Sequence, residues 1–253
     1  MRRWNIAKKR RLIELLALAL IMGVFQTGCG SSSPGVIEDP YPESQRVVLA
    51  ELFTQPFLLC PNSQSAVKAM DQLAGDYGPT KLIVLEYYYD NNPDYILPNT
   101  IERKDAYGVE YTPTVCFNGS HNKVDKWEGI DAYVSMINAE REKDTEIELT
   151  VTRSKVDEGD QLMIDVYNGT DSALENVWVW FVYYVVPAGY ENRQVVIYIS
   201  HSPQLGLLEA GNSESFSMEV ETELPDNAGF IAFLQESDTE NGEVYQAVQL
   251  ALD

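Results

Sequence analysis

A chain of 253 residues, 45% hydrophobic and 11% aromatic, has the length for one large domain or two ordinary ones. It also has enough apolar material to bury sizeable cores, which excludes wholesale disorder. Of its 18 Lys and Arg, six precede residue 12, whereas Glu14 is the only one of its 39 acids before Cys29; the remainder carries 12 basic against 38 acidic side chains, a net −26 that repels phosphate and excludes nucleic acid as a partner.

The N-terminus accounts for the asymmetry. Residues 1–11 are basic, and Leu12 to Phe25 form an apolar run broken only by Glu14. That run is shorter than the roughly 20 residues a spanning helix needs, so residues 1–28 read as a secretory signal peptide. Thr27-Gly28-Cys29 resembles a bacterial lipobox, which would make Cys29 the acylated first residue of a lipoprotein. Gln26 stands where that motif has an aliphatic residue; an ordinary signal peptide cut nearby is the alternative. Residues 29–45, opening Cys29-Gly30-Ser31-Ser32-Ser33-Pro34-Gly35, are a tether. The absence of Asp after Cys29 matches sorting to the outer membrane, facing the periplasm or the cell exterior.

Val47 to Phe53 is an apolar run with β-branched and aromatic residues, predicting a strand buried on both faces. Asn62 or Ser63 caps a helix whose apolar positions Ala66, Val67, Met70 and Leu73 recur at spacings of three and four. Lys81 to Tyr88 predicts a second buried strand, and Ile101 to Tyr107 a short helix closed by Gly108. Thr112-Pro113-Thr114 leads into a strand to Phe117; Asn118-Gly119 predicts a tight type I′ hairpin turn to a return strand at Lys123 to Trp127. A helix from Asp131 to Glu142 completes a β-α-β-α-β-β-α order.

Alternation then takes over. Strands are predicted at Glu146 to Thr152, Gln161 to Tyr167, Val177 to Val186, Val195 to Ser200, Ser213 to Val220, Gly229 to Gln235 and Val244 to Leu250. Seven short strands punctuated by glycines predict an all-β, Ig-like sandwich over residues 144–253. No cysteine lies beyond Cys116, so this sandwich has no inter-sheet disulfide. The face of the aromatic run Trp178 to Tyr184 that carries Phe181 and Tyr183 is expected to pack against the preceding domain, with Trp178 and Trp180 on the other face.

The apolar strand, the Cys60-Pro61 helix start, the Thr112-Pro113-Thr114 motif and the Phe117-Asn118-Gly119 hairpin, in that order, resemble the thioredoxin superfamily over residues 46–143. They are most similar to its secreted lipoproteins related to an outer-membrane protein of about twenty-eight kilodaltons. The resemblance implies an α/β thioredoxin-like domain in which Pro113 is cis and faces the active-site loop. It also implies a groove formed by Phe57, Cys60, Pro61, Thr112 and Pro113, which in active relatives binds extended peptide.

A thioredoxin site needs two thiols: one at the helix N-terminus attacks and the other resolves the mixed disulfide. In Phe57-Leu58-Leu59-Cys60 the attacking position is Phe57, which forms no thiolate, and a shifted register meets Ser63. The C-x-x-C is therefore degenerate, and Cys60 is either a structural thiol, further buried by Leu58 and Leu59, or a reactive monothiol. A Cys60–Cys116 disulfide is not expected. Cys116 lies three residues past Pro113, about 10 Å at roughly 3.3 Å per residue, beyond the roughly 7 Å that a bridge tolerates.

His121 and His201 lie in different predicted domains and belong to no ligand-spaced cluster. The oxygen-rich loops Asp90 to Asp94 and Asp238 to Gly242 lack EF-hand spacing and read as solvated turns. No metal or cofactor is implied. The expectation is a lipid-anchored binding or scaffolding module with an extended peptide or protein partner; the alternative is a monothiol oxidoreductase using Cys60.

Overall fold

The computed structural model describes residues 40–41, 43–55, 60–88, 98–156, 159–202, 205–220, 227–236 and 242–250. At 98–99, 155–156, 159–160 and 220 it describes the backbone alone. The signal peptide, Cys29, most of the tether, Phe57, the 90–94 loop and residues 238–241 lie outside the described residues.

The fold is mostly β, a mixed sheet with three described helices. Strand β1 (Val48–Thr54) leads to helix α1 (Pro61–Tyr77), strand β2 (Leu82–Tyr88) and helix α2 (Pro98–Ala106). Strands β3 (Thr114–Phe117) and β4 (Lys123–Asp125) form a hairpin, and helix α3 (Ile130–Glu142) follows. Then come β5 (Ile147–Val156), β6 (Gly159–Asn168), β7 (Leu174–Val185), β8 (Val195–His201), β9 (Leu205–Leu208), β10 (Ser213–Val220), β11 (Ala228–Glu236) and β12 (Val244–Leu250). All seven residues of β1 and all seven of β2 are buried, as strands covered on both faces must be.

Strands β1 and β2 are parallel, joined by the crossover helix α1, and β3 and β4 add antiparallel beyond β1. This arrangement continues into the strands of the second half. Nine strands form one sheet in the order β12-β11-β7-β8-β2-β1-β3-β4, with β9 pairing to β7. The join is a single parallel pair, Glu86 with Val195, reinforced by Glu86 N–H donating to Gln194 O at 2.8 Å. Strands β10, β6 and β5 make a separate three-stranded sheet.

The apolar clusters show four layers. Helices α1 and α3 cover one face of β1–β4 through Val48, Ala50, Leu52, Met70, Leu73 and Ile137. On the other face Leu49, Phe53, Leu85 and Cys116 meet Val182 and Tyr184 of β7, Ile199 of β8 and Phe233 of β11. The far side of β7 and β11, with Val179, Phe181 and Leu234, packs on Ile147, Ile164 and Val166 of the small sheet.

The expected faces of the aromatic run are therefore exchanged. Trp180, Val182 and Tyr184 face the first half of the chain, whereas Phe181 packs toward the small sheet and Tyr183 clusters with Leu162 and Phe230. Both faces of β7 are covered, so its apolar content carries no preference between them. Strand β9 was not expected: its four residues Leu205-Gly206-Leu207-Leu208 are too short to show an alternation. The β3–β4 connection is also longer than a two-residue turn, running from Asn118 to Asn122 and closed by Phe117 N–H donating to Asn122 O at 2.8 Å.

Candidate functional site

Cys60 is the N-cap of α1, in extended conformation (φ −88°, ψ 121°), with Pro61 at the first helical position. Proline is favoured there because its fixed φ suits the helix and its missing N–H would have no intrahelical partner. The cysteine is partly exposed and free, so it is not the buried thiol that one sequence reading expects. Its pKa is lowered chiefly by the Ser63 backbone N–H, against an opposing effect of burial, with further help from the Asn62 N–H and the Ser63 hydroxyl. Backbone donors at a helix start stabilise a thiolate in this way.

Antiparallel register places the Thr112-Pro113 segment at the same end of the sheet. Phe53 pairs with Thr114, so Pro113 lies beside Thr54, the last residue of β1, from which the chain runs on toward Cys60. The Thr112–Pro113 peptide bond is cis. Pro113 is buried and Thr112 half-buried. Pro113 O accepts from Lys126 N–H at 2.8 Å, and the Thr114 hydroxyl donates to Tyr111 O and Asp125 Oδ1, both at 3.0 Å. Tyr111 stands 50% exposed next to this segment, with Lys126 Nζ 4.6 Å from its ring centroid. Two buried hydroxyls near the Cys60 end, on Thr54 and Ser63, have no oxygen or nitrogen partner.

Cys116 is its opposite. It is fully buried on the face of β3 turned away from α1 and is also free. Burial, and secondarily the nearby Glu51 carboxylate, push its thiol far above the usual range. The sheet separates the two thiols.

Sequence reasoning missed the buried polar chemistry of the sheet. Glu51 receives Arg103 as a fork, Nε to Oε1 and Nη2 to Oε2, both 2.9 Å, and Tyr87 donates to Oε1 at 2.8 Å. Arg103 also donates to Gln235 Oε1 at 2.8 Å and to the Tyr107 hydroxyl. A second pair joins Arg193 to Glu86, with Nε–Oε2 at 3.0 Å and Nη2–Oε1 at 2.8 Å. A third group ties Arg46 to Glu140 at 3.2 Å and to Glu243 at 2.6 Å. The available signal was a glutamate in the middle of each apolar strand, Val48-Leu49-Ala50-Glu51-Leu52 and Leu82-Ile83-Val84-Leu85-Glu86; buried carboxylates require partners.

Asn118 and Gly119, expected as a turn, act as a clasp between the halves. The Asn118 side chain accepts from Leu49 N–H at 2.7 Å and donates to Glu140 at 3.0 Å, while its carbonyl accepts from Val244 N–H at 3.0 Å. A Cβ on Gly119, whose φ is +112°, would lie 2.4 Å from Gly242 O; only glycine admits that approach.

Among the described residues no group of three or more His, Cys, Asp or Glu is placed to hold a metal ion. His121 is exposed, and His201 sits edge-on to Trp178 and Trp180 with centroids 4.6 and 4.9 Å away. No described helix is long and apolar enough to cross a membrane.

No family model matches the chain, and no curated protein matches it in sequence. Solved structures do match in shape. HBP35 of Porphyromonas gingivalis superposes with a TM-score of 0.66 at 16% identity, covering 83% of this chain and 76% of that one. A domain of the outer membrane lipoprotein Omp28 from the same organism gives 0.29 at 14% identity, over 43% of this chain and 89% of that one. A β-glucosidase of Kluyveromyces marxianus gives 0.27 at 13% identity, over 43% and 14%. This chain has an overall fold similar to that of HBP35.

Proposed function

We propose that the chain is a cell-envelope lipoprotein anchored through Cys29, with a degenerate thioredoxin-like domain at 46–143 and a β-sandwich at 144–253. Its function is to bind an extended peptide or protein segment beside Thr112-Pro113 without redox turnover. The observation that carries this reading is the solitary thiol. Cys60 has no second thiol within its own helix start, and the remaining described cysteine, Cys116, is fully buried on the other face of the sheet. The attacking position three residues before Cys60 holds Phe57, so a mixed disulfide has no resolving partner. The β4-β3-β1-β2 order, the helices α1 and α3 on one face and the cis bond before β3 support the thioredoxin-like assignment. An exposed Tyr111 next to Thr112-Pro113 suits a groove for extended chain.

A second reading, a monothiol oxidoreductase, is favoured by one observation: Cys60 is partly exposed and its thiolate is stabilised. Insulin reduction and trapping of mixed disulfides decide between them. The binding reading expects no turnover, equally in wild type and Cys60→Ser. Turnover that disappears in Cys60→Ser overturns it in favour of the monothiol.

A further inference from the structure

Among the described residues, the three-stranded sheet has no strand beyond β10. Strand β10 pairs with β6 through eight consecutive residues without a register shift, and no described strand pairs with its other side. The ladder determines which backbone groups lie on that side. Asn168 N–H donates to Asn212 O at 3.0 Å, so 212 opposite 168 is a hydrogen-bonded position. By the two-residue alternation of antiparallel pairs, 214, 216 and 218 also turn their N–H and C=O to β6. Ser213, Ser215, Ser217 and Glu219 therefore turn theirs outward in a straight row.

Edges of this length are usually blunted by Pro, Lys or a bulge, and β10 has none of these. What it has is negative charge. Glu214 shares a face with Phe216 and Met218, which pack only partly against the apolar layer between the sheets. Both charged side chains of β10, Glu214 and Glu219, are acidic, and a second copy would bring another strongly acidic chain to the same edge, so like-charge repulsion disfavours self-pairing. A cationic strand meets no such penalty, and apolar side chains two residues apart on it would finish covering Phe216 and Met218.

We propose that β10 accepts an extended cationic segment of another protein as a fourth strand of this sheet. The segment carries apolar residues at two-residue spacing beside Phe216 and Met218 and a Lys or Arg beside Glu214. This is strand addition, and it is independent of the Cys60 end of the molecule.

The test is fluorescence anisotropy of a labelled Lys-Thr-Val-Thr-Val-Thr peptide titrated with the full chain. Saturable binding is expected, weakened about tenfold or more by Ser217→Pro. That change removes an outward N–H and leaves the bonds to β6 in place, so the melting temperature should hold. Glu214→Lys should weaken this peptide and strengthen one beginning with Glu. Should Ser217→Pro fail to fold, a peptide N-methylated at alternate residues makes the same cut from the ligand side and should not bind. Absence of binding, or binding indifferent to Ser217→Pro and to N-methylation, overturns the proposal. So does a dimer in sedimentation that Ser217→Pro dissolves, since the occupant would then be a second copy.

Discussion

Two buried Glu–Arg pairs sit on adjacent strands, yet they are finished differently. Glu51 of β1 and Arg103 of α2 form a closed set. The carboxylate takes both arms of the guanidinium and the Tyr87 hydroxyl. The guanidinium's remaining bonds go to Gln235 and Tyr107, and the rings of Tyr107, Trp180 and Phe233 surround it at 4.3, 4.7 and 5.1 Å. Glu86 of β2 and Arg193, before β8, form an open set. Tyr88 bonds Arg193 at 2.9 Å, but Arg193 Nη1 and the neighbouring Asp71 Oδ1 are buried without a hydrogen-bond partner. The first pair lies inside the layer joining the two halves of the chain; the second lies at the one-residue seam between β2 and β8. A closed pair rigidifies what it joins, whereas an open one leaves an ionisation to vary.

The largest expected effect comes from opening the closed set. Arg103→Met strands Glu51 and Gln235 in the core and should lower unfolding free energy by about 3–5 kcal/mol in urea titration. Adding Glu51→Leu should recover most of that, because a buried pair replaced by apolar groups is often near neutral. Arg193→Met should cost less, about 2–3 kcal/mol at neutral pH. Burial already raises the pKa of Glu86, with Arg193 opposing, so the stranded carboxyl can take a proton. The deficit should therefore shrink in acid. An equal and pH-independent deficit in both would erase the distinction. Tyr87→Phe, which removes one bond from Glu51, should cost about 1 kcal/mol.

The smallest effect is a slope. Asp71 and Glu86 both have raised pKa values, each chiefly through burial. Both therefore bind their protons more tightly in the folded chain than in the unfolded one. Their contribution favours folding most below the ordinary carboxylate range and is lost as pH climbs through it toward the raised folded values. Asp71→Asn removes one of the two, so melting temperature should fall less with pH from about 4 upward. A slope unchanged in Asp71→Asn would show that the open set does not titrate there.

Local chemistry was legible in the residues and long-range partnership was not. Continuous apolar runs located β1 and β2 to within a residue, because strands covered on both faces need little else. The 3.6-residue period of Ala66, Val67, Met70 and Leu73 located α1, and Thr112-Pro113-Thr114 marked the entry to β3. Partners were hidden because Glu51 and Arg103 are 52 residues apart and Glu86 and Arg193 are 107 apart; no periodicity spans such distances. The faces of Trp180 and Phe181 were ambiguous because β7 is buried on both. The exposure of Cys60 depends on how the chain approaches the helix, which composition does not encode.

The contacts of Arg46 and Val47 bear on how the protein is made. Arg46 donates to Val244 O at 3.0 Å and Val47 N–H to Gln246 Oε1 at 3.0 Å, spanning 198 and 199 residues. The strand at the heart of the first core is thus fastened at its entrance by β12, which is made nearly two hundred residues later. A nascent chain halted before residue 243 lacks those anchors and the cover over Leu49 and Phe53 supplied by Val244 and Ala247. Such sequence-distant closure slows folding. The first core is built to stay open until β12 has been made.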